Sequence, residues 1–288
     1  TGFKNHIING GFYVWQRGTS FTNTGSYKYT SDRWAWIASA GDANGTRLIA
    51  KGEGQYNSLD GVNNYISVSN TNTNTSYTNL LQRVEDVTRF YGKTLTLSFM
   101  ARTNGVPDFN ISAYLQQNFD DSASVSLGDI TEIYTLTANW TKYEITFNVP
   151  AWDNELHGDS NSLNVMFRKG TSATSVKFHI AQVQLEEGSV ATPFEQRPIG
   201  LELSLCQRYY EISNSNSLHL ILPDVNNSLS RRASVSYKVT KRITATVVNS
   251  SGHTIATNST DGFRLSRTAS TTTSEVSAGT WTADAEIY

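Results

Sequence analysis

Leu95-Thr96-Leu97-Ser98-Phe99 alternates apolar and polar side chains with period two. A strand sends successive side chains to opposite faces, so this run fits a sheet with one buried face. Ile111-Ser112-Ala113-Tyr114-Leu115 and Tyr143-Glu144-Ile145-Thr146-Phe147 repeat the pattern, and Tyr65 to Val68, Leu163 to Phe167 and Val176 to Leu185 read the same way. Turn clusters separate them: Thr103-Asn104-Gly105, Asp120-Asp121-Ser122 and the stretch from Trp152 to Ser162. Many short alternating strands divided by turns predict an all-β chain built on an antiparallel sandwich or jelly roll.

The texture changes near Pro193 and Pro198, which bracket an extended connector. From Ile199 to Tyr210 the spacing of Leu201, Leu205 and Tyr209, with Ile199 and Cys206 nearby, predicts a short helix with one apolar stripe. Short strands resume after Glu211, among them Ala233 to Val239, Gly262 to Leu265 and Trp281 to Tyr288. The expected organisation is a jelly roll over residues 1–195, a connector helix over 196–212 and a small β tip over 213–288. A tip that small is marginal by itself and needs the first domain or copies of itself. The chain opens at Thr1 rather than Met, which reads as a piece of a longer protein.

Charged residues make up 17 % and the formal net charge is -2, so no electrostatic pull toward nucleic acid or an anionic membrane is expected. No apolar run reaches the length of a membrane span. Ser, Thr, Asn and Gly take the place of charge, as in Ser69 to Asn79, and they favour turns and soluble sheet surfaces. The single cysteine, Cys206, excludes an intrachain disulfide and sits among apolar neighbours, where a buried packing role is expected.

Catalytic patterns are absent. There is no Gly-x-Ser-x-Gly elbow and no Gly-rich phosphate cradle after a strand, and the five histidines are isolated from one another. Neither catalytic nor metal-binding residues are expected, and no cofactor. A glycosidase would need only two carboxylates, and Asp120, Asp121, Asp153, Glu155 and Asp159 fall in loops. Solvated turn acids are the plainer reading. Structural calcium is an option at Asp42-Ala43-Asn44-Gly45 and Asp153-Asn154-Glu155, against the simpler Asx turn.

Saccharide binding asks for flat rings against sugar C–H faces and for amides or guanidinium groups against hydroxyls. Six tryptophans and fourteen tyrosines supply rings. If Ile111, Ala113 and Leu115 face the core, Ser112, Tyr114 and Gln116 share the opposite face, which makes Tyr114 and Gln116 ligand candidates. Trp152 lies in a polar loop and Tyr77 stands alone in an Asn/Thr run; both are candidates, and Trp36 is a third ring open to either role. Trp15, Trp34 and Trp140 are expected in the core. His219, Arg231, Arg232, Lys238, Lys241 and Arg242 make the tip locally basic, either as a surface for acidic sugars or as charges that protect a strand edge.

Asn9-Gly10-Gly11-Phe12-Tyr13-Val14-Trp15-Gln16-Arg17-Gly18, followed by Tyr29-Thr30-Ser31-Asp32-Arg33-Trp34, resembles the N-terminal signature of a phage tail-fibre family with a carbohydrate-binding-module-like jelly roll. The likeness continues at Gln82-Arg83-Val84-Glu85 and is most specific from Gln182 to Glu195, running on through Arg197-Pro198-Ile199-Gly200 to Tyr210. It covers residues 5–210 and implies a trimeric receptor-binding fibre on a virion, attached to other tail proteins and meeting a host polysaccharide or lipopolysaccharide. A polysaccharide-degrading spike and a purely structural connector are the alternatives. Physically, Asp32 and Arg33 are expected to pair, and Gln184, Glu186 and Glu195 to tie the last strand to the connector.

Overall fold

The structure, a computed structural model, describes residues 2–22, 27–38, 46–50, 62, 64–70, 78–103, 109–119, 124–126, 132–151, 160–169, 176–213, 218–222, 230–250, 253–268 and 275–288. The chain divides into two units, Thr1–Pro198 with Ile287–Tyr288, and Ile199–Glu286.

The first unit holds β1 (Ser20–Thr22), β2 (Lys28–Tyr29), β3 (Trp34–Ala38), β4 (Thr46–Ala50), β5 (Ile66–Asn70) and β6 (Thr78–Glu85). It continues with β7 (Thr94–Thr103), β8 (Phe109–Asn118), β9 (Ser124–Ser126) and β10 (Glu132–Leu136). β11 (Thr141–Asn148), β12 (Ser162–Lys169) and β13 (Val176–Glu187) complete it. The first sheet runs β1-β4-β5-β13-β7-β11, and the second β10-β8-β12-β6-β3-β2 with β9 added to β8. Every described pairing is antiparallel. The two sheets close on one apolar core as a jelly-roll sandwich.

The alternation read from the sequence is what fills that core. Leu95, Leu97 and Phe99 face inward from β7, Ile111, Ala113 and Leu115 from β8, and Leu163, Val165 and Phe167 from β12. Residues 5–16 also enter this interior without forming a strand, burying Ile7, Asn9 and Phe12. Side chains supply many of their backbone partners, beside main-chain bonds such as His6 N–H to Leu185 O. Asn5 Oδ1 accepts from the Ile7 and Leu185 N–H groups, Gln82 Oε1 accepts from Ile8 N–H, and Asn9 Oδ1 accepts from Val14 N–H. Asn9 holds a left-handed backbone at φ 56, a region Asn tolerates better than most residues.

The same segment shapes β13. That strand shifts register between Ala181 and Gln184, and Gln182 sits at φ 49. A bulge of this kind on a non-glycine residue stores roughly 1–3 kcal/mol. Val183 N–H donates to Gly10 O at 2.9 Å, and Val183 turns into the core. Gly10 is required here because a Cβ would lie 2.1 Å from the Val183 carbonyl oxygen.

The second unit opens with α1 (Ile199–Gln207), then β14 (Tyr210–Ile212), β15 (Leu218–Leu222), β16 (Ser230–Ser236) and β17 (Thr246–Asn249). β18 (Thr254–Asn258), β19 (Gly262–Thr268), β20 (Glu275–Gly279) and β21 (Trp281–Asp284) follow. Three-stranded sheets β14-β21-β17 and β16-β19-β18 share a core of Tyr237, Phe263, Leu265, Trp281 and Ala283, while β15 pairs β20. The helix forms and Cys206 and Tyr209 are buried as expected, but Ile199, Leu201 and Leu205 depart from expectation. Glu202, Cys206 and Gln207 are its buried residues, and Leu201 and Leu205 are only half-buried. Ile199, Leu201, Leu203 and Leu205 alternate along the chain, which at 3.6 residues per turn spreads them around the helix instead of onto one stripe.

Replacing Gly10 with alanine is expected to lower the unfolding free energy by about 1–3 kcal/mol or more, because backbone rather than a flexible side chain blocks the new methyl. Urea denaturation measures this, and a stability equal to that of the parent chain contradicts the close approach.

Candidate functional site

The outer face of the second sheet carries the side chains that β3, β6, β8 and β12 turn away from the core. Tyr29, Ala35, Leu81, Met166 and Tyr114 stand opposite one another in a single row across β2, β3, β6, β12 and β8. They form an apolar floor with Tyr27 and Ile37 packed against it. Asn79, Arg168 and Ser112 make the next row on one side, and Arg83, Asn164 and Gln116 on the other.

Polar groups on this floor hold one another in place. Arg168 donates from Nη2 to the Tyr114 hydroxyl at 2.6 Å and from Nε to Asn79 Oδ1 at 3.0 Å, with its guanidinium 4.9 Å from the Tyr114 ring centroid. Asn164 donates to Gln116 Oε1 at 3.2 Å and accepts from the Ser162 hydroxyl. Two further guanidinium groups lie on tyrosines, Arg83 on Tyr27 at 5.1 Å and Arg17 on Tyr29 at 5.2 Å. Tyr29 donates its hydroxyl to Ile287 O at 2.6 Å, and its ring meets Tyr288 edge-on. Planar cations on aromatic faces, bordered by carboxamides, present hydrogen-bond donors and acceptors in fixed directions.

The structure brings Tyr114 and Gln116 together on this face. Tyr114 is only 6 % exposed and serves as floor beneath Arg168, while Gln116, Ser112 and Arg168 are half-buried and reach its surface. Trp36 is a correction: it is fully buried in the sandwich core, because it shares the inward parity of Trp34 two residues earlier. Trp152 and Tyr77 lie outside the described residues, as do both calcium candidates and the five loop acids weighed for glycosidase chemistry. Among the described residues no group of His, Cys, Asp or Glu is placed to hold a metal ion. Arg83, Arg168, Asn79 and Asn164 were not singled out as ligand candidates from the sequence. The available signal was their parity, opposite to the core positions Leu80, Val165 and Phe167.

Other sequence expectations resolve into structure. Asp32 accepts from the Gln16 backbone and side chain, and burial raises its pKa; Arg33 meanwhile donates to Arg83 O. Gln184, Glu186 and Glu195 do tie β13 to the connector: Gln184 donates to Glu186 and Thr192 and accepts from Glu195 N–H, and Glu186 accepts from Thr192 N–H. In the basic tip, Lys241 is buried against Glu211 at 2.6 Å, and Arg242 donates to the Ala285 and Glu286 carbonyls. Those two cations are structural and not a docking surface. The side chains of His219 and Arg231 are outside the described set. Trp140 is a further correction, half-buried on the outer side of the first sheet against Tyr65 and Arg102 rather than in the core.

No protein-family model and no curated protein matches the chain. Solved structures align with part of the chain. A CBM4 module aligns at 19 % identity and TM-score 0.39, covering 63 % of this chain and 99 % of its own. The enzymatically active domain of tailspike protein 4 from bacteriophage CBA120 aligns at 13 % identity and TM-score 0.41, covering 64 % of this chain and 21 % of its own. The CBM22-1 xylan-binding domain of Xyn10C from Paenibacillus barcinonensis aligns at 12 % identity and TM-score 0.37, covering 59 % of this chain and all of its own, 100 %. Likeness at these levels transfers neither a ligand nor a residue role.

His179, on the outer side of β13 between the Tyr65 and Trp140 rings, gives a pH test. Burial, then the charges of Arg102 and Lys177, push it down to about 3 from 6.5. Its neutral form is therefore favoured by folding. The stability it contributes is complete above pH 6.5 and drains as pH falls toward 3, by at most about 1.4 kcal/mol per pH unit. Urea titrations at stepped pH should show that slope shrinking in His179→Gln relative to the parent; identical slopes contradict the assignment.

Proposed function

We propose that this chain is the receptor-binding segment of a phage tail fibre, and that it attaches to a saccharide on the host surface without cleaving it. The observation that carries the reading is the Arg168–Tyr114–Asn79 set beside Asn164–Gln116 on the outer face of the second sheet. A sugar offers hydroxyl groups that both donate and accept. Carboxamides and a guanidinium ordered on a rigid sheet meet them without first losing much conformational freedom. Three arginines on this face also favour a saccharide with carboxylate or phosphate substituents, as in capsule or lipopolysaccharide. The virion setting, with other tail proteins as partners, rests on the resemblance of residues 9–18 and 182–195 to tail-fibre sequences.

The functional assembly in this reading is a homotrimer. Ile199 is 60 % exposed and Leu203 36 % exposed, four residues apart on one side of α1, an apolar pair suited to burial against other copies. Three weak sugar sites on one fibre gain through effective concentration.

Arg168→Met keeps most of the stem but removes the guanidinium. It should weaken binding of host lipopolysaccharide or capsule by roughly tenfold or more, with a smaller loss for Tyr114→Phe, while the circular-dichroism spectrum at the assay temperature stays that of the folded parent. Titration calorimetry reads the change, and parent-level affinity in Arg168→Met removes this face from the mechanism. A reducing-end assay on the same mixtures should stay at background; released oligosaccharide means an enzyme instead. Light scattering should give a trimer mass that falls in an Ile199→Glu, Leu203→Glu double variant, and a monomeric parent contradicts the assembly.

A further inference from the structure

The first sheet has a cavity on its outer side that uses none of the residues placed above on the saccharide-binding face. Its volume is about 250 Å³, and Met100, Lys142, Gln182, Pro193 and Phe194 stand in its wall. Such a volume is just below the usual range for drug-sized ligands and suits one ring.

Three features fix this wall. The β13 bulge adds Gln182 as an extra residue, in a left-handed conformation, at the cavity. Bulges commonly re-aim a side chain beside a site. Phe194 is half-buried, and the residues on either side of it are tied down: Glu195 N–H donates to Gln184 Oε1 at 2.8 Å, and the Pro193 carbonyl accepts from Gln184 Nε2. Lys142 is bridged to Glu144 at 2.6 Å on the same side of β11, with both side chains open to solvent. Met100 supplies a polarisable thioether and also packs in the cluster that holds Trp140.

A ring, a proline and a thioether give the cavity its apolar surface, and a carboxamide and a lysine–glutamate pair give it donors and acceptors. The ligand that matches has one C–H face and a rim of hydroxyls. It also has no net charge, because Glu144 already balances Lys142 and would repel an anion. The geometry points to a second saccharide site that takes a single neutral hexopyranose unit, its C–H face on Phe194 and Pro193 and its hydroxyls on Gln182 and the Lys142–Glu144 pair. This site is independent of the arginine-rich face on the second sheet and differs from it in charge preference.

The chain has two methionines, and they report on the two faces separately: Met100 lines this cavity and Met166 lies in the floor of the second sheet. Methyl-labelled methionine NMR of the full 288-residue chain, titrated with methyl glucoside, galactoside, mannoside and N-acetylglucosaminide, tests the site. At least one should shift the Met100 methyl saturably, leave Met166 in place, and bind better than methyl glucuronide. Phe194→Ala should weaken that response roughly tenfold while the Met166 signal shows the sandwich intact. Lys142→Ala, at a solvent-open position, should weaken it too and serves if Phe194→Ala does not fold. A Met100 signal that no neutral glycoside moves, a response of parent strength in the folded variant, or a preference for the glucuronide overturns the site. Loss of polysaccharide binding at Met166 with Met100 still responding sinks the second-sheet reading alone.

Discussion

Residues 5–16 run as irregular chain with Asn5, Ile7, Asn9, Phe12 and Val14 buried, and buried backbone of that kind must find a partner for nearly every N–H and C=O. Here a few carboxamides supply them. Asn9 alone accepts from Val14 N–H and donates to the Val14 and Asp32 carbonyls and to Ser31 Oγ, joining the segment to the turn before β3. Asn5 and Gln82 connect the same segment to β13 and β6. Arg197, from the connector, donates to the Ile7 carbonyl at 2.9 Å. Take away this stitching and the β13 bulge, the packing of Gly10 beneath it and the course of the connector all lose their reason. The Asn-Gly-Gly-Phe run is thus a scaffold element, and its distinctiveness in the sequence reflects backbone demands rather than ligand contact.

The two outer faces then diverge because the connector runs along only one of them. On the first sheet Gln184 and Glu186 point outward, but their hydrogen-bonding capacity is taken by Thr192, Glu195 and each other. What is left beside the connector is a small recess open to solvent. On the second sheet the outward residues bond mainly across strands, through Arg168, Asn164 and their partners. An array made by cross-strand pairs is broad and stiff, whereas the space beside a connector is small and local. Physical form, more than composition, separates the two.

Strand by strand, much of the fold was legible, since alternation in Leu95–Phe99, Ile111–Leu115 and Tyr143–Phe147 directly encodes which side chains meet the core. Parity also placed Ser112, Tyr114 and Gln116 on the opposite face. Their neighbours were not legible. That Tyr114 faces Met166 and lies diagonal to Arg168 depends on the register of β8 against β12, and one sequence contains no record of register between strands some fifty residues apart. Trp36 was ambiguous because a tryptophan suits a core or a platform equally well; strand β3 decides it by giving Trp34, two residues earlier, and Trp36 the same side. The helix face misled for a different reason. Its apolar residues alternate as in a strand; Cys206 is buried as expected, but packing selected Glu202 and Gln207 where the pattern pointed to Leu201 and Leu205.

Lys241 shows how charge can lose its surface meaning. Its ammonium group, read from sequence as part of a basic patch, donates to Glu211 Oε2, to the Gln207 carbonyl at the end of α1 and to the Val239 carbonyl, and lies 4.5 Å from the Tyr237 ring centroid. Glu211 in turn accepts from Lys238 N–H. A buried ion pair adds little stability over a well-packed apolar pair, because desolvation consumes most of the attraction, yet removing either partner strands a charge. Its effect is therefore on specificity. It fixes the end of the helix, the start of β14 and the segment after Tyr237 relative to one another, in a unit whose apolar core is small. That unit keeps a defined shape through directed polar contacts where bulk burial is limited, as residues 5–16 do inside the sandwich.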